Sequence, residues 1–297
     1  MNIPKLNKWK RPAGYFLGIL LFFAPFAYYQ KTLNFLLNSN VAAEIHTFCL
    51  RIPILELLTG TAPKLLSVAG ISILLLLGSA FVIGPFFCSR LCASGALPEY
   101  LGKLVPDRFK INWQKTIPPV PIRYGFLFGY LVSPFLAGTI ACSLCNYSFL
   151  QWLIIAGVQQ NPGVLSSTAI ITGFLWLMLF GLFAKGGRGF CSYLCPVGAV
   201  QSVVHSLGAR LGFTYKLRYT RAACVGCRRC VLSCPVGALS PEETGGVTYT
   251  LHNCLTCRQC EAVCPTRAIT YGRGEQGWQD KPASRGIPEP VALEEAK

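Results

Sequence analysis

Eight cysteines in the last third of the chain form two copies of one spacing. The copies read Cys224-x2-Cys227-x2-Cys230-x3-Cys234-Pro235 and Cys254-x2-Cys257-x2-Cys260-x3-Cys264-Pro265. Three thiolates spaced in this way can hold three corners of one [4Fe–4S] cube, while the fourth cysteine of each run reaches the other cube. The spacing therefore predicts a first cysteine set of Cys224, Cys227, Cys230 and Cys264. It also predicts a second cysteine set of Cys254, Cys257, Cys260 and Cys234, and each set holds one [4Fe–4S] cluster.

Two structural zinc sites are the alternative interpretation of these eight cysteines. Zinc loops usually pair two Cys-x2-Cys halves rather than three consecutive cysteines followed by Cys-Pro. Between the two runs, Gly245 and Gly246 precede the apolar and β-branched residues 247–250, a pattern that predicts a turn into a short strand. Paired clusters without a nearby acid or nucleophile indicate one-electron transfer rather than substrate chemistry at the clusters.

Four further cysteines lie in an internal repeat. Residues 87–96, Phe-Cys-Ser-Arg-Leu-Cys-Ala-Ser-Gly-Ala, match residues 190–199, Phe-Cys-Ser-Tyr-Leu-Cys-Pro-Val-Gly-Ala, at seven of ten positions. At a spacing of four on a helix, both thiols of each copy share one face. A third cysteine set, Cys88, Cys92, Cys191 and Cys195, is therefore predicted to hold a further cluster. The alternative is that these are reduced thiols that pack helix ends.

A second additional site, separate from the third cysteine set, is predicted from two shorter motifs. These motifs also align with each other within the internal repeat. They are His46-x2-Cys49 and Cys142-x2-Cys145. Together they supply one imidazole and three thiolates, enough to close a tetrahedral metal site or to hold a small cluster. The alternative is a disulfide among Cys49, Cys142 and Cys145 with an unrelated surface histidine.

The composition indicates a membrane protein. Hydrophobic residues make up 52% of the 297 residues and charged residues only 13%, against about 25% charged in soluble chains. Apolar runs at 13–29, 65–87, 124–140 and 168–184 predict four transmembrane helices, with buried core helices of a soluble protein as the alternative. The net charge of +15 comes largely from short loops beside these runs, which is typical of cytoplasmic loops rather than of nucleic-acid binding.

The predicted fold is therefore a membrane α-helical domain, with four transmembrane helices as two parallel two-helix repeats, plus a small C-terminal α+β ferredoxin domain of the bacterial 2[4Fe–4S] type. The helical domain is assigned to residues 1–209 and the ferredoxin domain to 210–274. The polar tail 275–297 is expected to be disordered. The basic loops place the protein in the inner membrane, with several passes and with both termini and the ferredoxin domain on the cytoplasmic side.

No catalytic residue can be assigned from the sequence. Quinol oxidation must release protons, and two groups of titratable residues are candidates for accepting them. One group is Glu44, His46 and Glu56. The other is Glu99, Asp107 and His205. The alternative is that all of these are solvated loop residues.

Four helices, Cys-x3-Cys motifs after the second and fourth, and a C-terminal double ferredoxin motif resemble the NapH/NosR-type membrane polyferredoxins. The resemblance covers residues 10–272. By position, the family's membrane motifs fall on the third cysteine set, and Ala93 stands where the family usually has proline. The resemblance implies an electron-delivery or quinol-dehydrogenase subunit of a respiratory system that works with other redox proteins.

The expected function is electron transfer between the quinone pool and redox partner proteins, with no nucleic acid involved. The expected cofactors are two [4Fe–4S] clusters, one or two further iron–sulfur or metal centres, and quinone. The direction of electron flow is left open. Two other functions also remain open: a copper-reducing assembly factor and a redox-sensing membrane regulator.

Overall fold

The computed structural model of the chain describes residues 3–39, 66–136, 144–159, 167–243 and 245–278. Ten α-helices precede the ferredoxin part within these ranges. They are α1 Ile3–Phe22, α2 Tyr28–Leu36, α3 Val68–Ile83, α4 Ala93–Gly102, α5 Trp113–Thr116, α6 Pro119–Leu136, α7 Asn146–Gln159, α8 Ser167–Gly173, α9 Gly189–Tyr193 and α10 Pro196–Ala209. Two stretches of wider π-helix, Phe87–Leu91 and Phe174–Leu182, lie before α4 and after α8.

The prediction of four transmembrane helices is wrong. In the part of the chain that the structure describes, no helix is both long and apolar enough to cross a membrane, which takes about 20 predominantly apolar residues. Helix α1 has 20 residues, but four basic residues lie in its first half. Helix α3 has 16 residues and ends before Gly84. Gly84 has a φ of 77°, and the next residue is a proline, which cannot donate the backbone hydrogen bond that would continue the helix.

The other two predicted spans are altered in a similar way. Helix α6 starts earlier than its apolar run and includes Arg123 together with three prolines and two glycines, which lower its mean hydropathy. The run 168–184 does not form one regular α-helix, because α8 has only seven residues and continues as the wider segment Phe174–Leu182. A hydropathy pattern does not register these changes of backbone geometry.

Small residues allow the helices to approach closely. At Gly18 of α1, a Cβ would collide with the carbonyl oxygen of Leu91, so α1 lies directly on the turn that carries Cys88. At Gly208 of α10, a Cβ would collide with the carbonyl oxygen of Phe81 in α3. Close helix contact of this kind needs glycine, because any side chain would force the two backbones apart.

The ferredoxin part contains two short antiparallel sheets of two strands each and two short helices. Its elements are β1 Lys216–Tyr219, α11 Arg229–Leu232, β2 Leu239–Pro241, β3 Val247–Tyr249, α12 Gln259–Val263 and β4 Ile269–Gly272. Strand β1 pairs with β4, with Tyr219 opposite Ile269, and β2 pairs with β3, with Leu239 opposite Tyr249. The strand predicted after Gly246 is therefore present as β3.

One apolar core joins the ferredoxin part to the helices. It contains Leu217 and Ile269 of the sheet, Cys254 and Leu255 of a ferredoxin loop, and also Cys88 from the helical part. The first residues after β4 belong to the same structure, because Trp278 stacks on Tyr219 with ring centres 4.4 Å apart. Residues 279–297, most of the predicted tail, lie outside the described ranges.

Candidate iron–sulfur sites

The first cysteine set lines one small cavity. Its four members, Cys224, Cys227, Cys230 and Cys264, face this cavity together with Tyr219 and Ile269. The backbone of Gly226 has a φ of 68°, and its ideal Cβ would lie 2.9 Å from the carbonyl oxygen of Gly245. The loop therefore needs glycine to wrap around the cavity. The structure thus brings together three cysteines of one run and the last cysteine of the other.

The second cysteine set is assembled in the reciprocal way and lies deeper. Cys234 is in electrostatic contact with Cys257, and Cys254 is in electrostatic contact with both. Cys254, Cys257 and Cys260 are buried, whereas Cys227 of the first set is exposed. Burial raises the pKa of Cys234 to about 11 and that of Cys254 to about 12. A buried thiolate here needs a positive counterpart, which the iron of a cluster supplies.

Backbone amides point at the sulfurs of the second set. The N–H of Ala238 donates to Cys234 Sγ and the N–H of Thr256 donates to Cys254 Sγ, both over 3.2 Å. Such N–H···S bonds favour the thiolate and tune the potential of a cluster held by it. Four sulfurs with aligned amide donors fit a [4Fe–4S] cube.

The third cysteine set also converges. Cys88 is in electrostatic contact with the other three members, Cys92, Cys191 and Cys195. Cys88 is buried and the other three are half-buried, and burial raises the pKa of Cys92 to about 11 and that of Cys191 to about 12. The internal repeat therefore acts as predicted in one respect: it brings the two cysteine pairs to one place.

The local geometry of the third set is a correction to the prediction that each pair shares one helix face. Cys88 lies in the Phe87–Leu91 turn and Cys191 in α9, whereas Cys92 and Cys195 cap the next helices, α4 and α10. The amides that open these two helices lower the pKa of the capping thiols: those of residues 94 and 95 lower that of Cys92, and those of 197 and 198 lower that of Cys195. Two helix N-termini are thus aimed at one group of four thiols, which favours negative charge there.

Two buried arginines flank the third set. Arg188 is 1% exposed, and its Nη1 donates to the carbonyl oxygen of Cys88 over 2.7 Å. Arg123 is 2% exposed, and its Nη1 donates to the carbonyl oxygen of His252 over 2.6 Å. Both guanidinium groups oppose the effect of burial on the pKa of Cys191, because a nearby cation favours the thiolate.

A buried ion network extends from the third set toward the second. Glu99 accepts from Arg11 Nη1 over 3.0 Å and from Arg188 Nε over 2.5 Å, and Tyr15 accepts from both arginines. Arg11 is also in electrostatic contact with Cys257. Burial alone would raise the pKa of Glu99, but Arg188 and Arg11 outweigh it and hold this pKa below its ordinary value. The network therefore keeps a charged carboxylate between the two cysteine sets.

The proton-accepting candidates lie in different surroundings. Glu99 is buried in the ion network, whereas Asp107 is exposed and pairs with Lys110 over 2.7 Å. His205 is fully buried in α10 and packs with Thr256 around Gly84; burial lowers its pKa to about 4. Glu44 and Glu56 lie outside the described residues.

Glu99 and Asp107 nevertheless line one cleft of about 920 Å³. The cleft opens between α4 and the ferredoxin loops, and Tyr100, Lys103 and Cys234 also line it. The Lys103 ammonium lies 4.2 Å from the centre of the Tyr100 ring. The cleft thus places an aromatic ring, a cation and a carboxylate beside a cysteine of the second set.

The second additional site lies largely outside the described residues. His46, Cys49 and Cys142 lie outside the described ranges, and Cys145 is half-buried and in electrostatic contact with Tyr147. Tyr147 is also in electrostatic contact with Cys92. Within the described ranges, no three histidine, cysteine or acidic side chains are grouped closely enough to hold a single metal ion.

Sequence reasoning missed the three buried arginines, Arg11, Arg123 and Arg188. Each lies beside an apolar run, where a basic residue is usually read as a loop charge. A weak signal was present at Arg188, because it lies between two glycines immediately before the second Phe-Cys motif. Gly187 has a φ of 70°, so the chain turns sharply there and directs the following residue inward.

Family models match both cysteine-bearing parts of the chain. A model described as a 4Fe–4S dicluster domain matches residues 223–268, which contain the first and second sets. A model described as a 4Fe–4S binding domain matches twice, over residues 66–112 and 167–214, which contain the two halves of the third set. The two matches of the second model agree with the internal repeat.

Curated proteins with similar sequences include YccM and the ferredoxin-type protein NapH, both of Escherichia coli (strain K12). YccM is 26% identical over 187 residues, which are 61% of this chain and 49% of YccM. NapH is 29% identical over 187 residues, which are 61% of this chain and 57% of NapH. Protein NirI of Paracoccus denitrificans (strain Pd 1222) is 30% identical over 180 residues, 57% of this chain and 24% of NirI. The chain thus spans about half the length of YccM and NapH, and less of NirI.

No solved structure matches the chain. The similarities confirm the predicted resemblance to NapH-type polyferredoxins, and they confirm [4Fe–4S] clusters as the cofactors. Iron–sulfur electron transfer is the chemistry that this combination supports.

Proposed function

We propose that this iron–sulfur electron-transfer protein moves single electrons between the quinone pool and redox partner proteins. The observation that carries the proposal is the convergence of twelve cysteines into three groups of four. A [4Fe–4S] cluster takes up and releases one electron at a time without a change of ligands. A row of such clusters conducts electrons, so we assign the first, second and third cysteine sets as the successive ligand sets.

The order of the sets follows from their burial and contacts. Cys227 of the first set is exposed, so the first set lies at the protein surface. The second set shares its apolar core with Cys88 of the third set. The Arg11–Glu99–Arg188 network runs between those two sets. Electrons therefore pass between a partner at the protein surface and the third set by way of the first and second sets.

The quinone part of the proposal is supported by the cleft beside Cys234. Its volume, about 920 Å³, is within the range of small-molecule sites, roughly 300–1,000 Å³. Tyr100 offers a flat apolar face for a quinone ring, and Lys103 offers a donor for a quinone carbonyl oxygen. Asp107, at the exposed edge of the cleft, can receive protons that quinol oxidation releases.

Location at the inner membrane, with the ferredoxin part on the cytoplasmic side, is also a proposal. It is supported by large apolar side chains that the helices expose, among them Phe16 at 65%, Leu75 at 57% and Phe128 at 70%. Exposed apolar surface of this kind is typical of a lipid or protein contact. Quinones dissolve in the lipid phase, so contact with lipid would bring the cleft close to its substrate.

The test is reduction of the clusters by a short-chain quinol, followed anaerobically by visible absorbance and electron paramagnetic resonance. Lys103→Gln is expected to slow reduction by quinol several-fold and to leave reduction by dithionite unchanged. Lys185→Gln, at an exposed lysine outside the residues that line the cleft, is the matched control. Copper binding without any quinol response would contradict the proposal in favour of an assembly factor. Absence of turnover with every quinone would contradict it in favour of a redox sensor.

A further inference from the structure

The two clusters of the ferredoxin part differ in their access to solvent. Three of the four cysteines of the second set are buried, and the fourth, Cys234, is half-buried. In the first set, Cys227 is exposed, and Cys224 and Cys264 are half-buried. A one-electron carrier in solution therefore comes closest to the redox centres at Cys227.

An exposed aliphatic side chain lies at this opening. Val225, between the first two ligands of the set, lines the same cavity and is 65% exposed. An apolar side chain exposed to this degree beside a redox centre is suited to the dry centre of a small transient interface. It is not needed for the ferredoxin core, which is formed by other residues.

Three exposed arginines line the same cavity or directly follow a residue that lines it. Arg228 lines the cavity of the first set, Arg229 follows Arg228 at the start of α11, and Arg267 follows the lining residue Thr266. None of the three forms an ion pair within the described ranges. Two of the four described carboxylates of this part are already engaged: Glu242 pairs with Arg221 and Glu261 with Arg258, and the other two are Glu243 and Glu275. The surface around Cys227 is therefore positively charged.

The backbone gives an independent reason to assign a role to Arg267. Its φ of 55° lies in the left-handed region that favours glycine. Arg228 also has a φ of 55°, but its counterpart in the second run, Arg258, has a φ of 61°, so at that position the conformation belongs to the loop. Position 267 corresponds to Gly237 in the first cysteine run, which has a φ of 56°. An arginine at a position where the other copy has glycine strains the backbone, and no ion pair of the described residues compensates for that strain.

We infer that the face formed by Val225, Cys227, Arg228, Arg229 and Arg267 is the docking site of an acidic one-electron carrier protein. The inference rests on the proposed function, because it names the partner of the first cluster. Opposite charges steer such a carrier to the face, and Val225 contacts it beside Cys227. In one encounter the reduced chain loses one electron and the oxidised carrier gains one, with no proton or atom transferred. Electron flow from carrier to chain uses the same contact.

The experiment is anaerobic stopped-flow oxidation of the dithionite-reduced full chain by two carriers of opposite charge. An acidic plant-type ferredoxin and basic cytochrome c serve as the carriers. The second-order rate constant with the acidic carrier is expected to fall steeply between about 20 and 300 mM salt. The triple variant R228Q/R229Q/R267Q is expected to lose about tenfold in this rate constant at low salt, and to approach the unsubstituted chain at high salt.

Two controls separate docking from loss of the cluster. R273Q removes one positive charge at an exposed arginine that lies over the Tyr215 ring, away from Cys227, and it is expected to react with both carriers like the unsubstituted chain. The single variant R229Q leaves both positions of positive φ intact and is expected to lose about twofold to threefold with the acidic carrier only. Iron content and the paramagnetic signal of the reduced clusters are measured for every variant.

Equal slowing with both carriers would overturn the inference, and so would an acidic-carrier rate that does not change with salt or with these substitutions. A second measurement is binding to vesicles of phosphatidylglycerol. If the triple variant loses this binding but keeps its rate with the acidic carrier, the face is a lipid contact and the inference is wrong. Dithionite supplies the electrons in these experiments, so a failure of the quinone proposal leaves the docking result readable.

Discussion

Replacing Glu99 by glutamine removes the negative charge that Arg11 and Arg188 share. The side chains of Glu99 and Arg11 are 3% exposed and that of Arg188 is 0% exposed, so water cannot take over the role of the carboxylate. Removing one partner of a buried ion pair costs about 3–5 kcal/mol, because the remaining charge stays buried without compensation. For a chain of this size, 1 kcal/mol corresponds to roughly 2–4 °C in the unfolding midpoint. The expected loss is therefore about 6–20 °C.

The assay is anaerobic thermal unfolding at pH 7 and one fixed scan rate, followed by tryptophan fluorescence and by the visible absorbance of the clusters. A fixed rate is needed because a protein that loses its clusters unfolds irreversibly. Asp107→Asn is the control, since it removes the same charge from a carboxylate that is 79% exposed in its pair with Lys110, and it should change the midpoint much less. A Glu99→Gln midpoint within 2 °C of this control would refute the reasoning, because the network would then contribute no stability.

Three further predictions concern other parts of the helical domain. Burial lowers the pKa of His205 from 6.5 to about 4, so the unfolded chain takes up a proton first and stability falls as the pH decreases from 6.5 toward 4. The slope is worth ~3 kcal/mol over the full range and ~1 kcal/mol between pH 7 and 5.5. His205→Leu should remove it, which urea unfolding measures between those two pH values. Gly18→Ala should lower the free energy of unfolding by about 1–3 kcal/mol, because the new Cβ collides with Leu91. The control Gly78→Ala meets nothing within 4 Å and should be neutral or stabilising. Equal effects of the two substitutions in urea unfolding would contradict the packing of α1. Arg123→Gln should lower the midpoint potential of the third centre by ~40 mV, the equivalent of ~1 kcal/mol for one electron. A redox titration followed by paramagnetic resonance measures this potential. An unchanged potential would show that the Arg123 charge lies too far from the third centre to affect it.

The ferredoxin part was predictable because its information is local. The intervals of two and three residues between cysteines dictate which sulfurs can reach one cube, and the structure groups the same cysteines in the first and second sets. The third set required an internal repeat, since Cys88 and Cys191 lie 103 positions apart. Seven identical positions in ten made that long-range contact visible in a single sequence.

The failures come from properties that hydropathy does not encode. The apolar pattern of residues 65–87 does not show that α3 ends at Gly84. The pattern of residues 168–184 does not show that the helix after α8 widens over Phe174–Leu182. Glu99 and Arg188 were treated as surface charges because each looks isolated in the sequence. Their contact spans 89 positions, and it forms only after α4 has packed against the segment Phe174–Leu182. Such pairing depends on tertiary packing and leaves almost no trace in local sequence.

The central claim is that twelve cysteines act as cluster ligands, and a count of iron and acid-labile sulfide per anaerobically purified chain tests it most directly. Three cubes require about twelve iron atoms and about twelve sulfides. Cys191→Ser, which alters the third set alone, should reduce both numbers toward eight while the ferredoxin signals persist. A value of eight for the unsubstituted chain, or an undiminished value for Cys191→Ser, would contradict the account.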